Sequence, residues 1–229
     1  MTSGQSLMSR YGGAKAQQYD DARKNSARYK AEEEAFQAYI REVTPSGILD
    51  CPFGTGRWLP YYLDIAGPVV GIDYSNDMLA VARSKLSGSA SSIKLVRADI
   101  FETPLSAYRG EGIDLVVCTR FLNWFPAPKA AAALSRLSEV GARFAIIGAS
   151  LRPNDAGSLA KLFARWRLSF GNARRRKRGA AMQYVHDEAW LLECFEKHNW
   201  RVREKRFIFS APDRSNFFFL LERPEGQRS

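Results

Sequence analysis

A short segment joins a predicted strand to a predicted helix and combines a carboxylate with two glycines. Asp50 ends the apolar run that begins at Ile48, and Gly54 and Gly56 follow before Arg57. Glycine lets the backbone approach a ligand closely or adopt a positive φ. Ligands of open α/β sheets bind outside the carboxyl ends of the strands. The segment is therefore a candidate ligand-binding loop, although a purely structural turn would have the same sequence.

Two further carboxylates follow predicted strands later in the chain. Asp73 ends the strand that begins at Val69, and Asp99 follows the run that begins at Ile93. A carboxylate at the tip of the second strand can accept hydrogen bonds from both hydroxyls of a ribose. The alternatives are that Asp73 caps the following helix and that Asp99 is a loop residue. The order and spacing of these carboxylates are those that one cofactor spanning one crevice requires.

Strands and helices alternate through the first two thirds of the chain, which favours a parallel sheet with helices on both faces. The predicted strands are 47–49, 69–72, 93–96, 113–118 and 144–147. The predicted helices are 14–43, 57–65, 76–86 and 129–140.

The last third has a different pattern. An amphipathic helix is expected at 157–170, followed by a basic run at 174–178 and a helix that starts near Asp187. Strands near 203–209 and at 216–222 are separated by turn residues, which indicates an antiparallel pair at the sheet edge. The predicted fold is a Rossmann-like, mostly parallel seven-stranded α/β sheet with an antiparallel C-terminal strand pair.

The pattern Asp50-x-x-x-Gly54-x-Gly56 resembles the glycine motif of class I S-adenosylmethionine-dependent methyltransferases. A nicotinamide-binding fingerprint would need Gly or Ala where this chain has Leu59. The resemblance implies that Asp50 holds the amino-acid end of S-adenosylmethionine and that Asp73 binds its ribose. It also implies that Asp99 faces the adenine amino group. The full set of expected cofactor contacts is Asp50, Cys51, Gly54, Gly56, Asp73, Tyr74, Met78, Asp99, Ile100 and Thr119.

Residues 115–126 resemble the fourth strand and following turn of small-molecule methyltransferases of the ubiquinone-biosynthesis and trans-aconitate type. Those enzymes commonly have His where this chain has Asn123, which argues against a His-dependent mechanism. Asn123, Arg120 and Tyr19 are the catalytic candidates, and no general base is evident. The resemblance covers about residues 48–150.

The sequence predicts two parts, an N-terminal helical lid at 1–43 and a methyltransferase domain at 44–229 with a basic helical insert at about 152–182. In similar enzymes a tyrosine-bearing N-terminal segment folds over the cofactor, and Tyr11, Tyr19 and Arg28 are the residues in question. The alternative is a solvated helix docked through Phe36 and Ile40.

The chain has a formal net charge of +10 and a sequence pI near 9.7. Such an excess favours encounters with anionic partners without choosing among them. The insert could be a solvated loop, a cap over the acceptor, a contact with an anionic lipid surface or a contact with nucleic acid. The residues concerned are Arg165, Arg167, Arg174, Arg175, Arg176, Lys177 and Arg178.

We therefore expect a methyltransferase whose acceptor is a small or lipid-like molecule, with an anionic acceptor among the options. The alternatives are an RNA or DNA methyltransferase and a non-catalytic methyltransferase-like subunit. Three widely spaced cysteines argue against a disulfide framework or a zinc site, and no metal is expected. No apolar run is long enough to cross a membrane, and no secretory signal is evident at the N-terminus. A cytoplasmic protein is expected.

Overall fold

The computed structural model describes residues 26–86, 93–152, 158–177 and 182–224. Its helices are α1 (Ala27–Val43), α2 (Asn76–Leu86), α3 (Ala127–Ser138), α4 (Ser158–Lys177) and α5 (Glu188–Lys197). Its strands are β1 (Ile48–Asp50), β2 (Val69–Asp73), β3 (Ile93–Arg97), β4 (Leu115–Cys118), β5 (Phe144–Leu151), β6 (Arg201–Ala211) and β7 (Arg214–Glu222).

The strands form one sheet in the order β3-β2-β1-β4-β5-β7-β6. Strands β1 to β5 are parallel, whereas β7 is antiparallel to β5 and β6 is antiparallel to β7. Every residue of β1, β2, β4 and β5 is buried, which explains their nearly continuous apolar sequences. The strand order reverses direction beside β1, where a crevice opens at the carboxyl ends of β1 and β4. The predicted fold class is confirmed.

Helices cover both faces of the sheet. On one face Leu134 of α3 and Phe195 of α5 join the buried core, and on the other face Phe36 of α1 and Leu79 of α2 do so. The ring of Phe36 stacks on the ring of Trp58 at 4.0 Å between centroids. Helix α1 is therefore fastened to the segment that follows the glycine loop.

The segment predicted as a helix at 57–65 forms only a short 3₁₀ turn at Leu59–Tyr61. Its backbone hydrogen bonds join residues three apart, as from Tyr62 N to Leu59 O. Pro60 explains the difference, because it has no N–H for the bond to residue 56 that an α-helix would need.

Two further helix predictions need correction at their ends. Helix α1 begins at Ala27, and Ser26 is an extended N-cap whose side chain accepts a hydrogen bond from Tyr29 N, so the helix does not run unbroken from residue 14. Helix α4 continues to Lys177, so Arg174 to Lys177 extend a helix and do not form a loop. Cationic side chains at a helix C-terminus are favoured by the helix dipole. Arg178 lies outside the described residues.

Candidate active site

A cavity of about 190 Å³ opens at the carboxyl ends of the central strands. The glycine loop, the tips of β2 and β3 and the segment after β4 all contribute to its wall. The lining residues are Cys51, Pro52, Phe53, Gly54, Thr55, Arg57, Trp58, Asp73, Tyr74, Ser75, Met78, Ala98, Asp99, Ile100, Phe101, Thr119, Arg120, Phe121, Trp124, Phe125 and Lys129.

The glycine loop turns through two residues with positive φ, Gly54 at 60° and Gly56 at 74°. A Cβ atom on Gly54 would meet no atom within 4 Å, whereas one on Gly56 would lie 3.2 Å from the ring of Phe53. Gly54 is therefore required for its conformation and Gly56 for conformation and space. The loop keeps its backbone open to the cavity at Gly54.

Asp73 connects the tip of β2 to the glycine loop. Its carboxylate accepts hydrogen bonds from Gly54 N at 2.7 Å and from Ser75 N at 2.8 Å. Burial raises the pKa of Asp73, and the backbone donors act in the opposite direction. The helix cap is Ser75, whose Oγ accepts from Met78 N at 3.3 Å. Each oxygen of a carboxylate can accept a further bond, so Asp73 can serve the loop and a ligand together.

Asp99 lies near Asp73, two residues after Arg97, which pairs with Asp73 in the sheet. Its Oδ1 accepts a hydrogen bond from Phe101 N at 2.9 Å, which fixes the turn after β3. The side chain of Met78 is buried, whereas Tyr74 is 40% exposed. The expected cofactor residues that line the cavity are Cys51, Gly54, Asp73, Tyr74, Met78, Asp99, Ile100 and Thr119.

Asp50 and Gly56, also expected to contact the cofactor, are not among the cavity-lining residues. Asp50 is 1% exposed, and its Oδ2 accepts a hydrogen bond from the Tyr62 hydroxyl at 2.9 Å. Its Oδ1 is buried without a hydrogen-bond partner in the described part of the chain. Burial raises the pKa of Asp50 well above its usual range. Direct contact of either residue with a cofactor therefore stays a prediction.

Glu32, which the sequence did not single out, is a buried carboxylate that forms ion pairs with two arginines of the cavity wall. Glu32 of α1 is 1% exposed and forms ion pairs with Arg28, Arg57 and Arg120. Burial alone would raise the pKa of Glu32, but the three arginines outweigh it and lower the pKa to about 2. Glu32 is one of three consecutive glutamates, and only helix phase relative to the core could have distinguished it.

Arg57 and Arg120 carry this positive charge to the cavity wall. The guanidinium of Arg57 donates to Tyr29 O at 2.9 Å and lies over the Tyr29 ring at 3.8 Å. Burial and the like charge of Arg120 lower the pKa of Arg57, yet an arginine stays protonated at neutral pH. Arg120 has a φ of 56°, an uncommon conformation for a residue with a side chain and one that clusters at functional sites.

A cluster of aromatic rings forms part of the cavity wall. The ring centroids of Phe101 and Phe125 are 5.1 Å apart, and those of Phe121 and Phe125 are 4.9 Å apart. The ammonium of Lys129 lies 4.3 Å from the Phe101 ring centroid. Phe125 is 3% exposed and belongs to the core, although it also reaches the cavity wall. This part of the wall combines apolar surface with a cation.

Of the catalytic candidates Arg120 and Asn123, only Arg120 lies in the wall of this cavity. Arg120 lines the cavity, whereas Asn123 lines a smaller neighbouring pocket that includes Arg28 and Glu32. Tyr19 and Tyr11 lie outside the described residues. His186 is buried, with Nε2 3.0 Å from a backbone carbonyl, so its position is structural. No histidine is among the cavity-lining residues of the described chain.

Residues 48–142 match the model of a family described as a methyltransferase domain. No curated protein sequence matches the chain. Among solved structures, the chain resembles magnesium protoporphyrin IX methyltransferase from Synechocystis PCC 6803 with bound S-adenosylhomocysteine. The TM-score is 0.72 at 14% identity, over 97% of this chain and 100% of that one.

Two other neighbours show how varied the chemistry on this fold is. The methyltransferase domain of bacterial CtHen1 has a TM-score of 0.63 at 16% identity, over 86% of this chain and 98% of that one. The [4+2]-cyclase SpnF has a TM-score of 0.64 at 13% identity, over 86% of this chain and 83% of that one. At such identities the likeness establishes the fold alone.

The matched segment and the sheet order are those of a class I methyltransferase fold. The predicted resemblance to that family is confirmed, and S-adenosylmethionine, the methyl donor of this class, is the cofactor that the sequence predicted. The closer likeness to ubiquinone-biosynthesis and trans-aconitate enzymes stays a prediction. In the described part of the chain, no helix has the length and apolar character needed to span a membrane.

Proposed function

We propose that this chain transfers the methyl group of S-adenosylmethionine to an acceptor that is small or lipid-like and carries an apolar body and an anionic group. One observation supports this most directly. A single cavity is lined by a glycine loop and two carboxylates and also by aromatic rings and cations. Two ligands of different chemistry can therefore meet within one cavity.

The carboxylates and the glycine loop suit the cofactor. Asp73 would bind the ribose hydroxyls, Asp99 would face the adenine amino group, and Gly54 would admit the methionine portion. Ile100 and Met78 add apolar surface on the same wall. S-adenosylmethionine supplies its own activated leaving group, so the protein chiefly aligns the reactants and excludes water.

The cations and the aromatic rings suit an anionic acceptor. Arg57, Arg120 and Lys129 line the cavity, and Glu32 forms ion pairs with the two arginines. Phe121 and its aromatic neighbours provide apolar surface for the body of the acceptor. Cations placed beside aromatic rings recognise an apolar molecule that carries a carboxylate or phosphate.

The ionisable residues of the cavity narrow the chemistry further. Among the described lining residues, the carboxylates are Asp73 and Asp99. Both oxygens of Asp73 and Oδ1 of Asp99 already accept hydrogen bonds from backbone N–H groups, so we assign neither carboxylate the role of general base. An acceptor whose nucleophilic atom is already ionised needs no general base. Methylation of a carboxylate oxygen therefore fits this cavity best.

Calorimetry with S-adenosylmethionine, S-adenosylhomocysteine and NADH tests the cofactor. We expect the first two to bind and NADH to fail, and binding of NADH alone would contradict the proposal. Transfer of a radiolabelled methyl group to aromatic carboxylic acids and to their primary amides tests the acceptor. We expect label in the acids only.

A matched pair of variants tests the cationic wall. Arg120→Gln should lower methyl transfer to the acids, whereas Arg143→Gln, at a surface ion pair with Glu222, should leave it unchanged. Equal losses in both variants would contradict a role for the wall. Label transferred to RNA or DNA instead would favour the nucleic-acid alternative, and cofactor binding without any transfer would favour a non-catalytic subunit.

A further inference from the structure

Helix α4 has an unusual composition for a surface helix. Its 20 residues, Ser158–Lys177, include seven lysines or arginines and no acidic residue. Arg178 continues the run in the sequence. A surface helix that balanced its charges with neighbouring carboxylates would contain both signs. The charged residues in the sequence of this helix are instead all basic.

The same helix exposes large aromatic side chains. Trp166 is 60% exposed and Phe170 is 51% exposed, and their ring centroids lie 5.3 Å apart. The guanidinium of Arg174 lies 5.3 Å from the Phe170 ring. In the sequence, Leu159, Leu162 and Phe163 have the helical spacing that continues this stripe. Contiguous exposed apolar surface rimmed by charge marks an interaction site.

We propose that α4 docks on the surface of an anionic lipid bilayer. A helix with Trp, Phe and Leu on one face and arginines around it lies in the membrane interface, with its apolar face at the acyl boundary. Arginine stems can cover apolar surface while their charged groups meet lipid phosphates. Single-stranded nucleic acid would use the arginines and the aromatic rings, but it offers nothing for the aliphatic members of the stripe.

The docking helix is connected to the rim of the cavity. The side chain of Asn172 accepts from Gln183 N at 2.8 Å and donates to Gln183 O at 2.7 Å. Next along the chain, Tyr184 N donates to Asn123 O at 2.8 Å, and the neighbouring Trp124 lines the cavity. Docking would therefore bring the acceptor site close to the bilayer. This last consequence rests on the proposed function, whereas the docking itself does not.

Sedimentation with vesicles tests the docking without cofactor or acceptor. The full chain is mixed with vesicles of phosphatidylcholine alone or of phosphatidylcholine with phosphatidylserine. We expect binding to the second kind, and weakening by about tenfold or more in Arg167→Gln/Arg174→Gln, since this variant removes two exposed cations from the helix. Trp166→Ser/Phe170→Ser should also weaken it by about tenfold.

Matched variants on the edge strand β6 serve as controls. Phe207→Ser removes another aromatic side chain, 57% exposed, and Arg201→Gln removes another exposed arginine. Both should bind anionic vesicles like the parent chain, and all variants should keep the parent's circular dichroism. Equal weakening in the β6 variants would overturn the proposal, as would absence of binding to anionic vesicles.

Binding to a single-stranded RNA oligonucleotide is the last measurement of this test. Preferential binding to a single-stranded RNA, with vesicles ineffective, would overturn lipid docking in favour of a nucleic-acid contact. Calorimetry with S-adenosylmethionine on the same preparations separates this result from failure of the proposed function, since cofactor binding does not need α4 to be docked. The experiments can thus contradict lipid docking without contradicting methyl transfer, and they can contradict methyl transfer without contradicting lipid docking.

Discussion

Replacing Glu32 by Gln should destabilise the folded chain more than most single substitutions. The change keeps the size of the side chain and removes one negative charge from among Arg28, Arg57 and Arg120. The guanidinium groups would then lose the counter-charge that they share, in a site where Glu32 itself is 1% exposed. Losing one partner of a buried ion pair is costly because the remaining charge stays desolvated.

The pKa of Glu32 sets the size of the effect. It falls from 4.5 to about 2 on folding, and each pKa unit corresponds to about 1.4 kcal/mol, so the charged form contributes about 3 kcal/mol. A lowered carboxyl pKa stabilises the fold above pH 4.5, and this contribution is lost as the pH falls towards 2. For a chain of this length, about 3 kcal/mol corresponds to roughly 6–12 °C in Tm.

Urea unfolding and thermal melting at neutral pH measure this loss, with no ligand present. Glu34→Gln is the matched control, because it makes the same change at an exposed position of α1 and should alter stability by less than about 0.5 kcal/mol. The gap between Glu32→Gln and the parent should narrow below pH 4.5. A loss as small as that of the control, or a gap that does not change with pH, would refute the reasoning.

Three further substitutions test the loop. Asp73→Asn should weaken S-adenosylmethionine binding at least about tenfold by calorimetry, whereas Asp77→Asn should not; unchanged affinity in a folded Asp73 variant would refute the ribose assignment. Gly56→Ala should cost about 1–2 kcal/mol in urea unfolding because φ is 74°, whereas Gly171→Ala, with open space around it inside α4, should be neutral or stabilising. Tyr62→Phe should cost about 1–3 kcal/mol, since it removes the donor to a buried carboxyl; unaltered unfolding would mean that the bond contributes nothing.

Much of the fold could be predicted from the sequence because local patterns carry it. Buried parallel strands need continuous apolar runs, and each of the seven strands was located to within a few residues of its observed bounds. The glycine loop could be predicted equally well, since the positive φ angles at Gly54 and Gly56 favour glycine. Errors occurred where local signals conflicted. Pro60 lies within the segment that was predicted as a helix at 57–65, and only a short 3₁₀ turn forms there. Helix α4 was predicted to end at Phe170, but it continues past Gly171 through the arginines, which favour helix.

Contacts between residues far apart in the chain could not be predicted from local sequence patterns. Glu32 and Arg120 are 88 residues apart, and no spacing rule joins a glutamate of an N-terminal helix to an arginine after the fourth strand. The same holds for Asp50, whose type and place in the motif predicted a ligand contact. Only the packing of Tyr62 shows that its carboxyl is buried behind the loop.

The sequence by itself thus determined the class of fold, the glycine loop and the carboxylates at the strand ends, because short-range geometry and the period of each element specify them. The tertiary structure decided which charges meet. It placed two arginines around one buried glutamate at the cavity wall and left the aromatic rings of α4 exposed. The physical reason is that burial and electrostatic pairing depend on which elements pack together across the sheet.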